Sequence, residues 1–141
     1  MTRRITIIAD SRETQIRFLR TLGLHENLEF QAITTEPFFD EIIEDAIKAF
    51  NPDLIILDLR LTRDNESGFR VLRKLKESES LTDIPVVVCS KFITKNLKDK
   101  NKERAMTYGA VAALPKVPFP KAEEFLKFAR PIEAKSQQAF T

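Results

Sequence analysis

The feature that most limits the possible folds is an alternation of short apolar runs with longer amphipathic stretches along the chain. The run from Leu54 to Leu57 is apolar at every position, which is typical of a strand that is covered on both faces. Strands are predicted at 5–9, 28–34, 54–57, 86–89 and 111–114. Helices are predicted at 12–22, 37–50 (opened by Pro37), 68–76, 96–108 and 121–129, where apolar residues recur at helical spacing.

Five strand–helix units in succession indicate an α/β fold with a parallel sheet, because right-handed crossovers must pack helices on its faces. The length of 141 residues lies in the single-domain range of roughly 100–200. No repeat, low-complexity tract or Gly/Ser linker divides the chain. We therefore expect one domain over residues 1–132 and a short tail at 133–141, with no output domain.

The composition excludes several classes of site. A single cysteine, Cys89, rules out an internal disulfide and a four-cysteine zinc site, and we expect it to be a small buried residue. One histidine, His25, is too few for a Ser-His-Asp triad or a histidine metal site. Three glycines cannot form a phosphate-cradling nucleotide loop.

Charge and hydropathy indicate an ordinary cytoplasmic protein. The net charge of +2 is too small to imply a nucleic-acid or membrane partner. No stretch has the apolar centre of a signal peptide or approaches the ~20 apolar residues of a membrane span. Direct DNA binding is not expected, since the chain has no recognition-helix motif and no interleaving of aromatic and basic residues.

Polar residues suited to phosphoryl chemistry follow four of the predicted strands. Asp10 follows the first strand, Asp58 the third and Ser90 the fourth, and the fifth leads into Lys116. Because the carboxyl ends of parallel strands share one edge of the sheet, these side chains are expected to meet. A carboxylate can attack a phosphoryl group, and a second one can help to hold Mg²⁺. A lysine and a hydroxyl can stabilise the phosphoryl oxygens.

Each of these residues also has a purely structural interpretation. Asp58 could cap a helix or turn, and Asp10 could cap the first predicted helix. Ser90 could be an ordinary strand-end hydroxyl, and Lys116 a solvated lysine. A single fold that places all four at one edge explains them together, which favours the functional interpretation.

Three sequence motifs resemble the receiver domains of two-component response regulators, in particular the freestanding, single-domain, CheY-like members. The motifs are Pro52-Asp53-Leu54-Ile55-Ile56-Leu57-Asp58-Leu59, Asp83-Ile84-Pro85-Val86-Val87-Val88-Cys89-Ser90, and Tyr108-Gly109-Ala110 followed by Lys116. The resemblance extends from about Arg4 to about Ala129. It implies a doubly wound, flavodoxin-like sheet of five parallel strands in the order 2-1-3-4-5.

The resemblance also implies roles for five residues. Asp58 corresponds to the phosphoacceptor, Lys116 to the lysine that pairs with phosphoryl oxygens, and Ser90 to the hydroxyl residue that contacts the phosphoryl group. Asp10 and the backbone carbonyl of Arg60 correspond, with Asp58, to ligands of Mg²⁺. The phosphodonor would be a phosphohistidine on a sensor histidine kinase or a phosphotransfer protein. Such a domain is no enzyme for other substrates, since it catalyses only its own phosphorylation and dephosphorylation.

Several residues near the predicted site depart from the family pattern. Ala9 replaces the first of two adjacent acidic residues, so Mg²⁺ binding is expected to be weaker. Lys91 replaces a small residue, and it could attract the phosphoryl group, partly replace the metal or point outward. Ala113 replaces an aromatic residue, so the family's aromatic switch side chain is missing or comes from elsewhere.

The connecting segments depart from the pattern as well. The loop after the third strand is two residues longer than usual, and its Asp64 or Glu66 could supply a substitute carboxylate. Val117 precedes Pro118 in place of the family's lysine, which leaves the frequent cis peptide bond there in question. The segment between the fourth and fifth strands is longer by about one helical turn, so the fourth helix could be displaced.

Two main functional hypotheses follow, and both involve protein partners. The first is a switch in which phosphorylation of Asp58 changes the binding of a downstream protein to the face formed by the fourth helix, fifth strand and fifth helix. The second is a pseudo-receiver, which binds proteins without phosphorylation and is favoured by Ala9, Lys91 and the lengthened loops. A small-molecule enzyme of flavodoxin-like topology is a distant third, since no ligand motif is present.

Two surface features bear on these partners. Basic residues crowd the region of the fourth helix, which indicates either a solvated face or docking to an acidic partner; they are Lys91, Lys95, Lys98, Lys100, Lys102 and Arg104. Phe128 in the last helix could mark a homodimer contact, although an aromatic residue at helical spacing more often belongs to the core.

Overall fold

The computed structural model describes residues 2–9, 11–34, 40–58, 67–96 and 98–131. Within these ranges the strands are β1 (Arg3–Ile8), β2 (Leu28–Ile33), β3 (Leu54–Asp58), β4 (Val86–Ser90) and β5 (Ala112–Pro115). The helices in the same ranges are α1 (Arg12–Leu22), α2 (Glu41–Phe50), α3 (Ser67–Glu77), α4 (Lys100–Thr107) and α5 (Ala122–Leu126). Strands and helices alternate along the chain, as predicted.

The strands form one parallel sheet in the order β2-β1-β3-β4-β5, which confirms the predicted topology. β3 lies at the centre, between β1 and β4. In the register of the sheet, Asp58 lies beside Cys89, and Ser90 lies beside Pro115. The carboxyl ends of β3, β4 and β5 therefore lie side by side at one edge.

Alternate residues of the central strand enter two separate apolar cores. Ile55 and Leu57 pack with side chains of α3, such as Phe69, in one core. Leu54 and Ile56 pack on the opposite face with residues of α1 and α5 that include Phe18, Leu22 and Phe125. All four strand residues are buried, which confirms that β3 is covered on both faces. Burial of one such side chain stabilises the fold by roughly 1.5–3 kcal/mol, and this two-sided burial holds the end of β3 in place.

Side-chain caps set the starts of three helices. Ser11 accepts a hydrogen bond from the Thr14 backbone at 3.2 Å and caps α1, which fills the structural role considered for Asp10. The prediction that Pro37 opens the second helix is wrong, because Asp40 is extended and caps α2 at Ile43. Residues 35–39 lie outside the described ranges. α4 begins after Asp99, four residues later than predicted, since the Asp99 carboxylate accepts from the Lys102 backbone at 3.0 Å.

The last helix is shorter than predicted and ends at Leu126. The chain continues in tight turns, in which the Phe128 backbone donates to Phe125 and the Ala129 backbone to Leu126. Phe128 packs against the α1–α5 core, which supports its interpretation as a core residue. The predicted tail at 133–141 lies outside the described residues. Among the helices that are described, none combines the length and the apolar character needed to span a bilayer.

A second aspartate, at the amino end of β3, ties together the parts of the chain that meet at the opposite edge of the sheet. Asp53 is 2% exposed, and its Oδ2 accepts a hydrogen bond from the Arg4 backbone at 2.9 Å. The guanidinium of Arg130 lies 3.7 Å from Oδ1, and the Arg130 backbone donates to the Asp53 carbonyl at 2.9 Å. Arg130 also donates to the side chain of Asn51 and the carbonyl of Pro52. These contacts hold the segment after α5 against the start of β3.

Candidate functional site

Two charged side chains meet at the carboxyl edge of the sheet. Asp58 is the last residue of β3, and Lys116 directly follows β5. The Lys116 Nζ donates to the Asp58 Oδ1 at 2.9 Å, with 14% and 6% of the respective side chains exposed. The Lys116 backbone donates to the carbonyl of Ser90 at 3.0 Å, which fixes the lysine to the end of β4. A charge-assisted hydrogen bond between groups this well buried orients the carboxylate.

Ser90 is the third predicted site residue at this edge. It ends β4, one position beyond the residue that lies beside Asp58 in the sheet, and it is fully buried. Its Oγ accepts a hydrogen bond from the Phe92 backbone at 3.1 Å. Among the described residues, no hydrogen bond joins this hydroxyl to Asp58. Of the five predicted site residues, the fold brings together Asp58, Ser90 and Lys116, whereas Asp10 and Arg60 lie outside the described ranges.

The three residues near the site that depart from the family pattern differ from one another in their surroundings. Ala9 is buried, and its carbonyl accepts from the Gln15 side chain at 3.4 Å. Its methyl side chain has no oxygen to offer a metal. Lys91 is exposed, with its Nζ 5.3 Å from the centroid of the Phe92 ring. Ala113 is buried in the core beneath α3 and α4.

The proline after the site lysine is in the cis form. The peptide bond between Val117 and Pro118 is cis, one bond further along the chain than the lysine–proline bond of the family pattern. The predicted substitute carboxylates, Asp64 and Glu66, lie in a loop outside the described residues.

Cys89 lies beside Asp58 in the sheet and is buried, as predicted. Burial raises the pKa of its thiol to about 12, and the negative charge of Asp58 acts in the same direction. Lys116 and Arg17 oppose this rise through their positive charges. The thiol is therefore protonated at neutral pH, where it behaves as a small apolar side chain.

One member of the predicted basic run belongs to a packed cluster. The guanidinium of Arg104 in α4 lies 4.2 Å from the ring centroid of Phe69 and 5.6 Å from that of Tyr108. The two rings contact each other edge to face, with centroids 5.6 Å apart. Arg104 therefore joins α4 to α3. This contact is not expected if the basic run is interpreted as a uniform solvated face. Lys91, Lys95, Lys98 and Lys100 are exposed.

A hydrogen bond between the loop after β4 and the first turn of α4 could not be predicted from the sequence. The side-chain amide of Asn101 donates to the carbonyl of Phe92 at 3.1 Å. A side chain that bonds a backbone group nine residues away leaves no periodic signal in a sequence.

The described residues supply one of the ligands predicted for a metal ion. No group of three or more His, Cys, Asp or Glu side chains that could hold a metal occurs within the ranges that the structure describes. The Asp58 carboxylate is an oxygen donor of the kind that Mg²⁺ prefers, at the carboxyl edge of the sheet. Its position fits a metal site, and Ala9 adds no donor to it.

Comparisons with known proteins agree with this architecture. The chain is 29% identical over 103 residues to the polar-differentiation response regulator DivK of Brucella abortus, which covers 73% of this chain and 78% of DivK. The signal receiver domain of a DNA-binding response regulator from Colwellia psychrerythraea 34H superposes with a TM-score of 0.68 at 21% identity, covering 89% of this chain and 94% of that one. The Mn²⁺-bound form of the response regulator Rcp1 superposes with a TM-score of 0.58 at 21% identity, covering 94% and 92%.

The family model described as the response regulator receiver domain matches residues 5–127. This match begins inside β1, at Ile5, and extends just past the end of α5. The chain therefore belongs to the response regulator receiver domains of two-component systems.

Proposed function

We propose that Asp58 accepts a phosphoryl group from a phosphohistidine of a sensor histidine kinase or phosphotransfer protein. The observation that carries this proposal is the Asp58 carboxylate at the carboxyl edge of the sheet, held by Lys116 at 2.9 Å. A buried lysine–carboxylate pair at the end of a central strand places a nucleophile and a cation where one phosphoryl group can contact both.

The reaction moves one phosphoryl group between two proteins. A carboxylate oxygen of Asp58 attacks phosphorus in line as the bond from phosphorus to the donor imidazole nitrogen breaks. The imidazole leaves with the electron pair of that bond and takes up a proton. Asp58 becomes an acyl phosphate, and the ammonium of Lys116 pairs with its equatorial oxygens.

Magnesium is the cofactor that we propose for this reaction. Asp58, Asp10 and the backbone carbonyl of Arg60 would hold it, and it would supply positive charge to the phosphoryl oxygens. Because Ala9 removes one carboxylate from the family's usual set, we expect a weaker affinity for Mg²⁺ than in receivers with both acids.

The output follows from the added charge. A phosphoryl group brings about −1.5 to −2 charges to the buried edge and attracts Lys116 and the Ser90 hydroxyl. We propose that these movements alter the face formed by α4, β5 and α5, to which a downstream protein binds. A histidine-kinase donor and one unpaired, buried cysteine fit a cytoplasmic location.

The alternative is a pseudo-receiver, which uses the same fold to bind proteins without phosphorylation. Ala9 favours this alternative, since it removes a metal-binding carboxylate from the carboxyl edge. The retained Asp58–Lys116 pair favours the switch.

A phosphorylation assay distinguishes the two. The full chain is incubated with Mg²⁺ and acetyl phosphate and then analysed by intact mass spectrometry, with Asp58→Asn as the test variant. Asp45→Asn, the same change at an exposed carboxylate of α2, is the control. We expect wild type and Asp45→Asn to gain one acid-stable, base-labile phosphoryl group, and Asp58→Asn to gain none. No gain in wild type from acetyl phosphate or from a panel of phosphorylated histidine kinases would establish the pseudo-receiver.

A further inference from the structure

Two consecutive hydrogen bonds connect the Ser90 hydroxyl to α4. The backbone N–H of Phe92 donates to the Ser90 Oγ at 3.1 Å. The side-chain amide of Asn101, in the first turn of α4, donates to the Phe92 carbonyl at 3.1 Å. Residue 92 is thus held at both of its backbone polar groups, on one side by the candidate site and on the other by the helix.

We propose that Asn101 is a positioning residue for Ser90. By holding the Phe92 carbonyl, Asn101 keeps the Phe92 N–H on the Ser90 hydroxyl and thereby sets how readily that hydroxyl turns toward a group on Asp58. This proposal rests on the proposed phosphorylation of Asp58, and it adds a specific route by which α4 and the site influence each other.

Burial limits the choices of the Ser90 hydroxyl. Ser90 is fully buried, so a hydroxyl that leaves Phe92 cannot turn to bulk water. A rotation that carries the Oγ toward a phosphoryl group on Asp58 removes the acceptor of the Phe92 N–H. The Phe92 N–H and the Phe92 carbonyl belong to neighbouring peptide groups joined at the Phe92 Cα, so an Asn101 amide that fixes the carbonyl restricts the backbone rotations by which the N–H could find another partner. The hydrogen bond from Asn101 to the Phe92 carbonyl therefore opposes the rotation of the Ser90 hydroxyl toward Asp58.

The hydrogen bond from Asn101 to Phe92 is independent of the contacts that build the rest of this loop. Ile93 is buried in the core and anchors the loop to the sheet. The Asp99 carboxylate caps α4 and also accepts from the backbone and the hydroxyl of Thr94, each at 2.8 Å. Removal of the Asn101 amide leaves these anchors intact, so the loop and the helix should stay folded.

Asn101→Asp is the sharpest test variant. It keeps the size of the side chain, but the Nδ2 donor becomes a carboxylate oxygen that repels the Phe92 carbonyl. A negative charge in the first turn of a helix is favourable, so α4 should not be weakened. Asn96→Asp is the matched control, because Asn96 is exposed in the same loop and its Oδ1 accepts from the Lys98 backbone, as a carboxylate oxygen can.

The first readout needs no phosphorylation. Amide hydrogen exchange of Phe92 is measured by NMR in the unmodified full chain. We expect exchange to be about 10-fold faster in Asn101→Asp, the order of magnitude of one lost hydrogen bond, and unchanged in Asn96→Asp. Equal Phe92 exchange in wild type and Asn101→Asp would overturn the proposal.

The second readout is the initial rate of phosphorylation by acetyl phosphate. Loss of the hydrogen bond from Asn101 to Phe92 should raise the phosphorylation rate about 3- to 10-fold in Asn101→Asp, the factor expected for one hydrogen bond. In a Ser90→Ala background the same change should have no effect, because Asn101 acts through the hydroxyl. The proposal would be overturned if Asn101→Asp raised the phosphorylation rate equally in the Ser90→Ala background, or if it did not raise the rate in the otherwise wild-type chain. If wild type takes up no phosphoryl group, the proposed function fails, while Phe92 exchange still decides whether Asn101 holds this loop.

Discussion

β3 carries a buried aspartate at each edge of the sheet, and the two differ in what holds them. Asp53, just before the strand, accepts a backbone N–H from Arg4 and faces a guanidinium that is itself fixed by Asn51 and Pro52. Asp58, at the end of the strand, accepts from the ammonium of Lys116. One carboxylate is bound into a network of backbone and arginine contacts, and the other faces a flexible point charge.

The difference separates an aspartate that joins chain segments from the one that we propose reacts with a phosphoryl group. A guanidinium that bonds several chain segments at once serves to join them, because its planar group of donors has a fixed geometry. An ammonium on a flexible stem can follow an oxygen from a carboxylate to a phosphoryl group. Burial alone does not separate the two residues, since both are nearly inaccessible. The chemistry of the positively charged partner separates them.

The largest expected effect is on stability at the amino edge. Asp53→Ala should lower the free energy of unfolding by about 3 kcal/mol, because the buried Arg4 N–H loses its acceptor and the Arg130 guanidinium loses the carboxylate charge 3.7 Å away. Asp58→Ala should cost no more than about 1 kcal/mol, since the Lys116 ammonium can reach water along its flexible stem. Urea denaturation followed by circular dichroism measures both values.

Asp45→Ala serves as the control for that experiment. Its carboxylate is exposed on α2, so a change within about 0.5 kcal/mol of wild type is expected. A loss for Asp58→Ala as large as that for Asp53→Ala would mean that both aspartates are structural, and the distinction drawn from their partners would fail.

A smaller effect tests how far the charge of Asp58 reaches. Burial first, and the Asp58 charge second, raise the pKa of the Cys89 thiol to about 12. Asp58→Asn removes the second contribution and leaves the opposing charge of Lys116, so the pKa should fall. At pH about 10, more thiolate should be present, and alkylation of the native protein by iodoacetamide should be about 3-fold faster.

Asp53→Asn is the matched control for Cys89, since it makes the same change at the other edge of the sheet. Its alkylation rate should equal that of wild type once the rates are corrected for local opening, which Cys89 amide exchange reports. An equal acceleration in both variants would indicate a general loosening of the sheet rather than the loss of a nearby charge.

The sheet and the central part of the site could be predicted because both follow from local pattern and topology. Apolar runs such as Leu54 to Leu57 identify strands, and a parallel arrangement brings their carboxyl ends together without knowledge of any side-chain contact. That argument correctly brought Asp58, Ser90 and Lys116 to one edge, although Lys116 lies 58 positions from Asp58 in the sequence.

Contacts that depend on tertiary packing could not be predicted from the sequence. The start of α4 involves two residues that can both cap a helix, Asn96 and Asp99, and the choice falls on Asp99 because it also binds Thr94 in the loop after β4. The structural role of Asp53 could not be recognised from its motif, since its partner Arg130 lies far along the chain, after the last helix. Such pairings leave no periodic trace along a single chain.

The smallest expected effect is the pH dependence of the stabilisation by the Asp99 cap of α4. Burial acts to raise the pKa of the Asp99 carboxyl, but hydrogen bonds from Lys102, Thr94 and Asn101 outweigh it, so the pKa lies below its ordinary value of 3.8. A lowered pKa in the folded state means that the stabilisation is complete above pH 3.8 and is lost as the pH falls through the folded value. Asp99→Ala should therefore cost about 1 kcal/mol at pH 7 and a few tenths less near pH 3. Urea denaturation at both pH values measures the two penalties, and a penalty that does not change with pH would show that the cap works without its charge.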